Sequence, residues 1–196
     1  HTAGLHAPHV CTRSDSDFRQ TNVDVTECLL NAACKNHIQC FVMTSTTSVY
    51  GCTTRAKDSA IWVTEELEPN PEDIYDETKL EAENLCRQAA DSGLTTVVLR
   101  MSRCFPEPPN ILAFYRLYRG VDRRDVAEGH FAAATAGLSG FDVFNLSSES
   151  PFKKEDCEKL WHDPWTVIDK SVPSVRIAFD RMTWKRPSRI DRVYIV

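Results

Sequence analysis

The chain has 196 residues, a length that allows one domain with a substantial core, or one domain with a small appendage. Hydrophobic residues make up 42% and charged residues 26%, a balance typical of a soluble globular protein. The net charge of −5 and the lack of a basic block argue against a nucleic-acid-binding surface. With no membrane-spanning run and no secretory signal in the sequence, we expect a cytoplasmic protein that binds neither membrane nor nucleic acid.

The eight cysteines form neither a C-x-x-C pair nor the Cys/His spacing of a zinc site. A free cysteine packs as a small hydrophobic residue. We therefore expect free thiols rather than disulfides, and no bound metal.

The first predicted helix covers residues 17–37. Its apolar residues recur at three- and four-residue steps; they are Phe18, Val25, Leu29, Ala32 and Ala33. The apolar run 38–43 then predicts a buried parallel strand. The polar stretch 44–74 is too irregular for one element, and a second helix is expected over 75–91, before Ser92-Gly93.

The second half of the chain continues the alternation. Residues 95–101 are rich in β-branched side chains and predict a strand, as does the alternating segment 141–146. Helices are expected over 111–118 and 125–136. Strands that alternate with helices predict an α/β fold with a parallel sheet. From residue 151 the periodicity weakens, so we expect a main domain at 1–150 and a small, mostly helical lobe at 151–196.

Tyr75 and Lys79 form a Y-x-x-x-K pattern at the start of the second helix. Residues four apart lie on one helical face, so the phenol and the ammonium can address the same site. A nearby cation and a helix N-terminus both favour the phenolate form, which could then exchange a proton with a substrate hydroxyl. By itself this short pattern occurs readily by chance.

A run of hydroxyl residues, T-S-T-T-S-V-Y-G at 44–51, follows the first predicted strand. Hydroxyls at the carboxyl end of a parallel strand face the crevice in which α/β sheets bind ligands. One of them could hydrogen-bond a reacting oxygen beside Tyr75. The alternative is an ordinary Ser/Thr-rich turn.

In order and spacing, these segments resemble the extended short-chain dehydrogenases/reductases, the NAD-dependent epimerase/dehydratase family. His1-Thr2-Ala3-Gly4 is similar to the H-x-A-G that follows the family's fourth strand, and the helix containing Asn22 resembles its N-V-x-G-T-x-x-L-L helix. Segments 98–100, 120–127 and 144–146 resemble later family motifs. The resemblance covers most of residues 1–150 and implies a Rossmann-like, doubly wound parallel sheet.

The resemblance also implies roles for individual residues. Tyr75 takes the place of the catalytic acid/base and Lys79 that of the residue that lowers its pKa and binds the nicotinamide ribose. Thr46 takes the place of the catalytic Ser/Thr, with Ser45 as the alternative. An NAD or NADP cofactor is implied, with Tyr75 and Lys79 joined in its site by Ala3, Gly4, Asn22, Thr44 and Ser45.

On the substrate side, the resemblance places Thr47, Arg103 and Arg116 against a small molecule, although the arginines could equally belong to a solvated charged face. Sugar 4,6-dehydratases have Asp-Glu after the catalytic Thr, whereas this chain has Thr47-Ser48, which disfavours dehydration. In the family, two long helices pair with their copies, so a homodimer is implied.

The sequence departs from the family in one respect. None of its seven glycines lies in a G-x-x-G-x-x-G turn, which binds the cofactor pyrophosphate in the family. We expect a Gly-rich segment before His1 in the natural protein, the chain being the N-terminally truncated part of an NAD(P)-dependent epimerase or oxidoreductase. The alternatives are a non-catalytic remnant that binds a ligand or partner, and a regulator that senses NAD(P).

Overall fold

The structure is a computed structural model that describes residues 1–55, 59–174 and 193–195. Its strands are Cys40–Thr46 (β1), Ile61–Val63 (β2), Thr95–Met101 (β3), Phe141–Leu146 (β4) and Val193–Ile195 (β5). Its helices are Asp15–Phe18 (α1), Val25–Lys35 (α2), Ile74–Asp91 (α3), Pro109–Tyr115 (α4), Arg123–Thr135 (α5), Cys157–His162 (α6) and Pro164–Ser171 (α7). A π-helical segment, Arg19–Asp24, joins α1 to α2, and 3₁₀ segments cover Ala7–His9, Thr47–Thr54 and Lys154–Asp156.

The main sheet is parallel, with the strand order β1-β3-β4. Val98 of β3 pairs with Met43 on one side and with Val143 on the other. His1 lies along the free edge of β1: its ammonium donates to the Val42 carbonyl at 2.8 Å, and its carbonyl accepts from the Thr44 amide at 3.0 Å. The predicted Rossmann-like parallel sheet is therefore confirmed.

Helices cover both faces of the sheet, as expected of a doubly wound fold. Met43 and Val98 are fully buried and pack with Cys86 in a cluster that includes α2 and α3. Val97 and Ala133 belong to a cluster on the opposite face, against α5. Each buried Val or Met side chain contributes roughly 1.5–3 kcal/mol by leaving water, so the two clusters hold the helices on the sheet.

The first strand differs from its prediction in a way that matters for the site. It was expected over 38–43, but β1 begins at Cys40 and continues to Thr46. Pairing with β3 reaches as far as Thr46 opposite Met101, so the hydroxyl residues at 44–46 belong to the strand rather than to a following turn. Ile38, assigned to the strand from its hydrophobicity, is 50% exposed.

The helices agree with prediction to within about two residues at most ends, which is the usual ambiguity of helix termini. α3 was expected from residue 75 and starts at Ile74, where Asp73 caps it by accepting from the Asp76 amide. α5 starts two residues before its predicted start because Asp122 caps the amide of Arg124. The helix predicted over 17–37 spans 15–35 and contains the π-helical segment.

The tail is mostly helical where the structure describes it. Leu160 and Ile168, from α6 and α7, are buried against Phe114 and Leu117, so this cluster crosses the predicted boundary at residue 150. β5 pairs in parallel with β2. The division at 150 remains a prediction, and residues 175–192 and 196 of the expected lobe lie outside the described residues.

All eight cysteines are free thiols. Among the helices in the described parts of the chain, none is long and apolar enough to cross a membrane.

A buried ion pair joins α3 to the sheet. The Arg100 guanidinium donates to both carboxylate oxygens of Glu83, at 2.7 Å from Nη2 and 3.1–3.2 Å from Nε. Its Nη1 donates to the Tyr50 hydroxyl at 3.0 Å, which in turn donates to the Asn145 side chain at 2.9 Å. The Ser45 hydroxyl donates to Glu83 at 2.5 Å. These bonds satisfy the two charges that the fold takes out of water, as buried charges require.

We expect Glu83→Gln to lower the free energy of unfolding by roughly 3–5 kcal/mol, because it leaves a buried guanidinium without its counter-charge. Glu81→Gln on the same helix is the matched control. Glu81 pairs with Arg19 at 2.7 Å but is about half exposed, so its replacement should cost less than about 1 kcal/mol. Urea unfolding of the three proteins measures both values, and equal losses would contradict the dominant role of the Glu83–Arg100 pair.

Candidate active site

A cavity of about 690 Å³ opens where β1 and β3 end, the position at which α/β sheets bind ligands. Its volume is within the usual range for small-molecule sites. Four segments and Arg119 form its wall. The segment before α1 contributes Thr2, Ala3, Gly4, Leu5, His6 and Ala7, and β1 with the turn after it contributes Thr44, Ser45, Thr46, Thr47 and Ser48. Helix α3 contributes Tyr75, Asp76 and Lys79, and the segment after β3 contributes Ser102, Arg103, Cys104 and Phe105.

Tyr75 and Thr46 both line this wall. The Thr46 side chain favours the phenolate and so lowers the pKa of Tyr75, in opposition to burial. Thr46 is held in place as the N-cap of the 3₁₀ segment, since its hydroxyl accepts from the Ser48 amide at 3.1 Å. A phenol and an alcohol side by side can hold one ligand oxygen between them and exchange a proton with it.

Lys79 lies one helical turn after Tyr75 but does not act on its phenol in this structure. The Lys79 ammonium donates to the Thr44 carbonyl at 2.6 Å. Burial lowers the pKa of Lys79 to about 8. Burial is also the largest cause that raises the pKa of Tyr75 above its ordinary value. Burial of the phenol works against a lowered pKa, and the expectation that Lys79 lowers the pKa of Tyr75 stays a prediction.

Ser45, the alternative catalytic hydroxyl, is 2% exposed and donates to Glu83 in the buried ion pair. Strand alternation explains this placement, since neighbouring side chains of β1 point to opposite faces of the sheet. The Ser45 hydroxyl is thus bonded to the core carboxylate of Glu83, although Ser45 and Thr46 both line the cavity. Thr44 contributes its carbonyl to Lys79, and its hydroxyl meets His130 Nε2 at 2.6 Å.

Asn22 lies behind the cavity wall rather than on it. Its Oδ1 accepts from the Leu5 amide at 2.8 Å, and its Nδ2 donates to the Leu5 carbonyl at 3.0 Å and to the Thr78 hydroxyl at 3.1 Å. These bonds clamp the loop at Leu5 against α3, and the cofactor contact of Asn22 stays a prediction. A Cβ on Gly4 would meet Asn22 Oδ1 at 2.9 Å, which explains the glycine there.

Of the two arginines expected on the substrate side, only Arg103 lines the cavity. Its guanidinium pairs with Glu107 at 2.5 Å and lies 4.3 Å from the centre of the Tyr115 ring. Arg116 instead pairs with Asp122 at 2.8 Å, beyond the end of α4, and Arg119 takes the place on the wall. Thr47 lines the cavity, and its contact with a substrate stays a prediction.

Two further wall residues, Asp76 and Ser102, were not predicted from the sequence. Asp76 is 5% exposed, and its carboxylate accepts from the Ser48 hydroxyl at 2.5 Å. Burial raises the pKa of Asp76 to about 6. The Ser102 hydroxyl is buried and has no hydrogen-bond partner among the residues that the structure describes. An acidic residue in a first helical turn is usually exposed, so only the tertiary structure reveals Asp76.

Within the described parts of the chain, no three His, Cys, Asp or Glu side chains form a group that could hold a metal ion.

The raised pKa of Asp76 predicts how stability depends on pH. Between 3.8 and about 6 the folded protein binds more protons here than the unfolded chain, so this group's contribution to stability falls as pH rises through that window. We expect Asp76→Asn to remove this loss of stability. The free energy of unfolding of the variant, relative to that of the wild type, should therefore rise by up to roughly 3 kcal/mol from pH values below the window to pH values above it. Urea unfolding of both proteins at several pH values measures this difference. Parallel curves of unfolding free energy against pH for the two proteins would contradict the raised pKa of Asp76.

Comparison with known proteins shows similar solved structures. The UDP-glucuronic acid 4-epimerase of Bacillus cereus, in complex with UDP-glucuronic acid and NAD, has a TM-score of 0.58 and 25% identity, over 76% of this chain and 52% of that one. RMD of Pseudomonas aeruginosa, complexed with NADPH, has a TM-score of 0.61 and 24% identity, over 74% and 57%. MoeE5 in complex with UDP-glucose and NAD has a TM-score of 0.60 and 24% identity, over 76% and 55%.

The chain thus spans about half the length of the solved structures that it matches. A search of curated proteins gave no match. The family model described as "NAD dependent epimerase/dehydratase family" matches residues 1–110, more than half of the chain, and includes Tyr75, Lys79 and Thr46. This chain belongs to the NAD-dependent epimerase/dehydratase family.

Proposed function

We propose that this chain carries the catalytic acid/base set of an NAD(P)-dependent epimerase or oxidoreductase that acts on a hydroxyl or carbonyl carbon of a sugar or nucleotide sugar. The observation that supports it best is the meeting of Tyr75, Thr46 and Lys79 on one wall of a cavity large enough for a small-molecule ligand. The solved neighbours bound to UDP-glucose or UDP-glucuronic acid support the substrate class.

Tyr75 is the proposed acid/base. In the free chain its pKa is raised by burial, so the phenol is protonated at neutral pH and is ready to donate to a carbonyl oxygen. Thr46, on the same cavity wall, would hold the same substrate oxygen and orient it. In the opposite direction, Tyr75 would accept the proton of a substrate hydroxyl. A bound nicotinamide cofactor would supply the acceptor or donor of the hydride.

The residues present fit such a cofactor. Lys79 is 8% exposed and directs an ammonium towards the cavity side of β1, where it could hydrogen-bond ribose hydroxyls. The Ser102 hydroxyl is buried and unpaired at the wall, and Gly4 lets backbone approach a flat ligand closely. Ala3 and the backbone of Thr44 and Ser45 complete this proposed surface.

The cavity wall also carries groups that suit an anionic or polyhydroxylated substrate. Arg103, Arg119, His6 and Thr47 line it. Guanidinium groups bind phosphate and carboxylate oxygens bidentately. At the two positions after Thr46 the chain offers hydroxyls, Thr47 and Ser48, rather than the carboxylates that dehydration requires, so epimerase or carbonyl-reductase chemistry is the proposed reaction.

We expect Tyr75→Phe to lower turnover by about 10²–10⁴-fold, the usual contribution of a general acid/base, and to leave cofactor binding nearly unchanged. Lys79→Met should instead weaken binding, because it removes the proposed ribose contact. Calorimetric titration of the full chain with NAD⁺ and NADP⁺ measures binding, and assays with UDP-glucose and UDP-glucuronic acid measure turnover.

Lys154→Met, a change in a 3₁₀ segment away from the cavity wall, is the control for the lysine replacement. Failure of the folded wild-type chain to bind either dinucleotide would count against the proposal and favour a non-catalytic binding module. Wild-type turnover in Tyr75→Phe would remove Tyr75 from the mechanism.

We propose in addition that the chain forms a homodimer through α2 and α3. Val25 and Leu29, one turn apart on α2, are 41% and 40% exposed and form an apolar strip next to α3. Burying this strip against a second copy would remove it from water.

Leu29→Lys should therefore convert a dimer to a monomer, because it places a charge in the centre of the interface. Phe131→Lys is the matched control: Phe131 is 72% exposed on α5, so its replacement should leave the mass unchanged. Size-exclusion chromatography with light scattering measures both, and a monomeric wild type would contradict the dimer.

A further inference from the structure

His130 on α5 is hydrogen-bonded to the end of β1, next to the proposed cofactor surface. Its Nε2 lies 2.6 Å from the Thr44 hydroxyl, and its Nδ1 lies 2.7 Å from the Val126 carbonyl oxygen, one helical turn earlier. Thr44 lines the cavity, whereas His130 lies behind the wall. The imidazole can therefore influence the site through Thr44.

The partners of the ring determine which of its nitrogens carries a proton. A carbonyl oxygen only accepts, so Nδ1 must be the N–H that donates to Val126. In the neutral ring Nε2 is then an acceptor, and the Thr44 hydroxyl donates to it. Both nitrogens are used, so the ring is held in one tautomer and one orientation.

Thr44 is bound on three sides. Its amide donates to the His1 carbonyl at 3.0 Å, its carbonyl accepts from the Lys79 ammonium at 2.6 Å, and its hydroxyl is bonded to His130. Strand alternation explains why the hydroxyl meets α5, since Val42, two residues earlier on β1, packs against the cluster on that face of the sheet. Thr44 therefore links α3 and α5, which cover opposite faces.

The direction of the Lys79 ammonium depends on this link. An ammonium has three N–H donors, so two remain for a ligand when one is given to the Thr44 carbonyl. A lysine side chain has many rotamers, and that bond selects among them. A shift of the carbonyl would therefore change where the two remaining donors point.

Helix α5 gives the imidazole a rigid base. Gly129, directly before His130, lies so close to β4 that a Cβ there would meet Leu146 Cδ1 at 2.6 Å. Ala133, three residues after His130, is buried against the sheet. Close packing on both sides of the histidine holds its backbone at a constant distance from β1.

From these contacts we infer that His130 is a positioning residue of the site: by binding the Thr44 hydroxyl, it fixes the carbonyl that directs the Lys79 ammonium along the cavity wall. This inference rests on the proposed function, in which Lys79 binds the cofactor ribose. His130 touches neither substrate nor cofactor in this role, and it transfers no proton.

The tautomer of His130 tests the link to Thr44 without any ligand. Long-range proton–nitrogen NMR spectra of the full chain, recorded under alkaline conditions in which an imidazole is neutral, should show the Nδ1–H tautomer. The spectrum of His130→Gln assigns the signal by its loss. An Nε2–H tautomer, or exchange between the two, would overturn the inference whatever the activity of the chain.

Two replacements of His130 separate the roles of its nitrogens. The amide of Gln reaches as far as Nε2 and can accept from Thr44, whereas the shorter amide of Asn takes the place of Nδ1 and falls short of Thr44. We expect His130→Asn to weaken binding of NAD⁺ or NADP⁺ roughly 2- to 10-fold, the effect of one lost hydrogen bond, and His130→Gln to restore it. Glu128→Asn is the matched control, because it places the same residue at an exposed position of α5.

A double replacement distinguishes positioning from a merely structural role. Because His130 acts through Lys79, His130→Asn should cost no further affinity in the Lys79→Met background. A structural role would weaken binding by the same factor in both backgrounds. Equal losses, or unchanged affinity in His130→Asn alone, would overturn the inference and leave the proposed function standing.

Chemical labelling makes the same comparison in the absence of a cofactor. Acetic anhydride should acetylate Lys79 severalfold faster, relative to the exposed Lys154, in His130→Asn than in the wild type, because the released side chain reaches solvent more often. His130→Gln and Glu128→Asn should leave this ratio unchanged. Mass spectrometry of the labelled full chain measures it, and a wild-type ratio in His130→Asn would overturn the inference. Failure of the wild type to bind either dinucleotide would instead count against the proposed function.

Discussion

The buried pair of Glu83 and Arg100 is the interaction on which the geometry of the site depends. It joins the middle of α3 to the central strand, and the Ser45 hydroxyl extends it to β1. Because the pair is bidentate and enclosed, α3 cannot slide or rotate against the sheet without breaking charge-assisted hydrogen bonds in a low-dielectric interior. The positions of Tyr75 on α3 and of Thr46 on β1 are therefore set by the bonds that join Glu83 to Arg100 and to Ser45.

The same enclosure explains the ionisation of the site. The helix that carries Glu83 also brings Asp76 and Lys79 out of water, and burial shifts their pKa values in opposite directions, to about 6 and about 8. Desolvation penalises whichever form is charged, so an acid and a base are both moved towards neutrality. Burial is the largest cause of both shifts, so one physical cause gives two groups that can change charge near neutral pH.

Sequence patterns predicted this protein well wherever a local rule decides the outcome. Strand β3 follows from its β-branched run, α3 from its periodicity and the glycine after it, and Tyr75 with Thr46 from the order of their motifs. The patterns did not reveal where polar side chains point. Asn22 clamps a loop instead of lining the cavity, because its hydrogen-bond partners are distant in sequence. Arg119 rather than Arg116 reaches the wall, because Arg116 pairs with Asp122 beyond the end of α4.

The spacing along α3 connects these observations. Tyr75, Lys79 and Glu83 follow one another at four-residue steps and so occupy one face of the helix, directed at the carboxyl ends of the strands. Tyr75 lines the cavity together with Thr46. Lys79 donates to the Thr44 carbonyl, and Glu83 accepts from Arg100. A phenol that must meet a ligand oxygen within hydrogen-bond distance needs such rigid support, since an error of about 1 Å can cost about 100-fold in rate. The ion pair of Glu83 and Arg100, two helical turns further along α3, supplies that support, so the geometry of the candidate active site depends on a buried interaction.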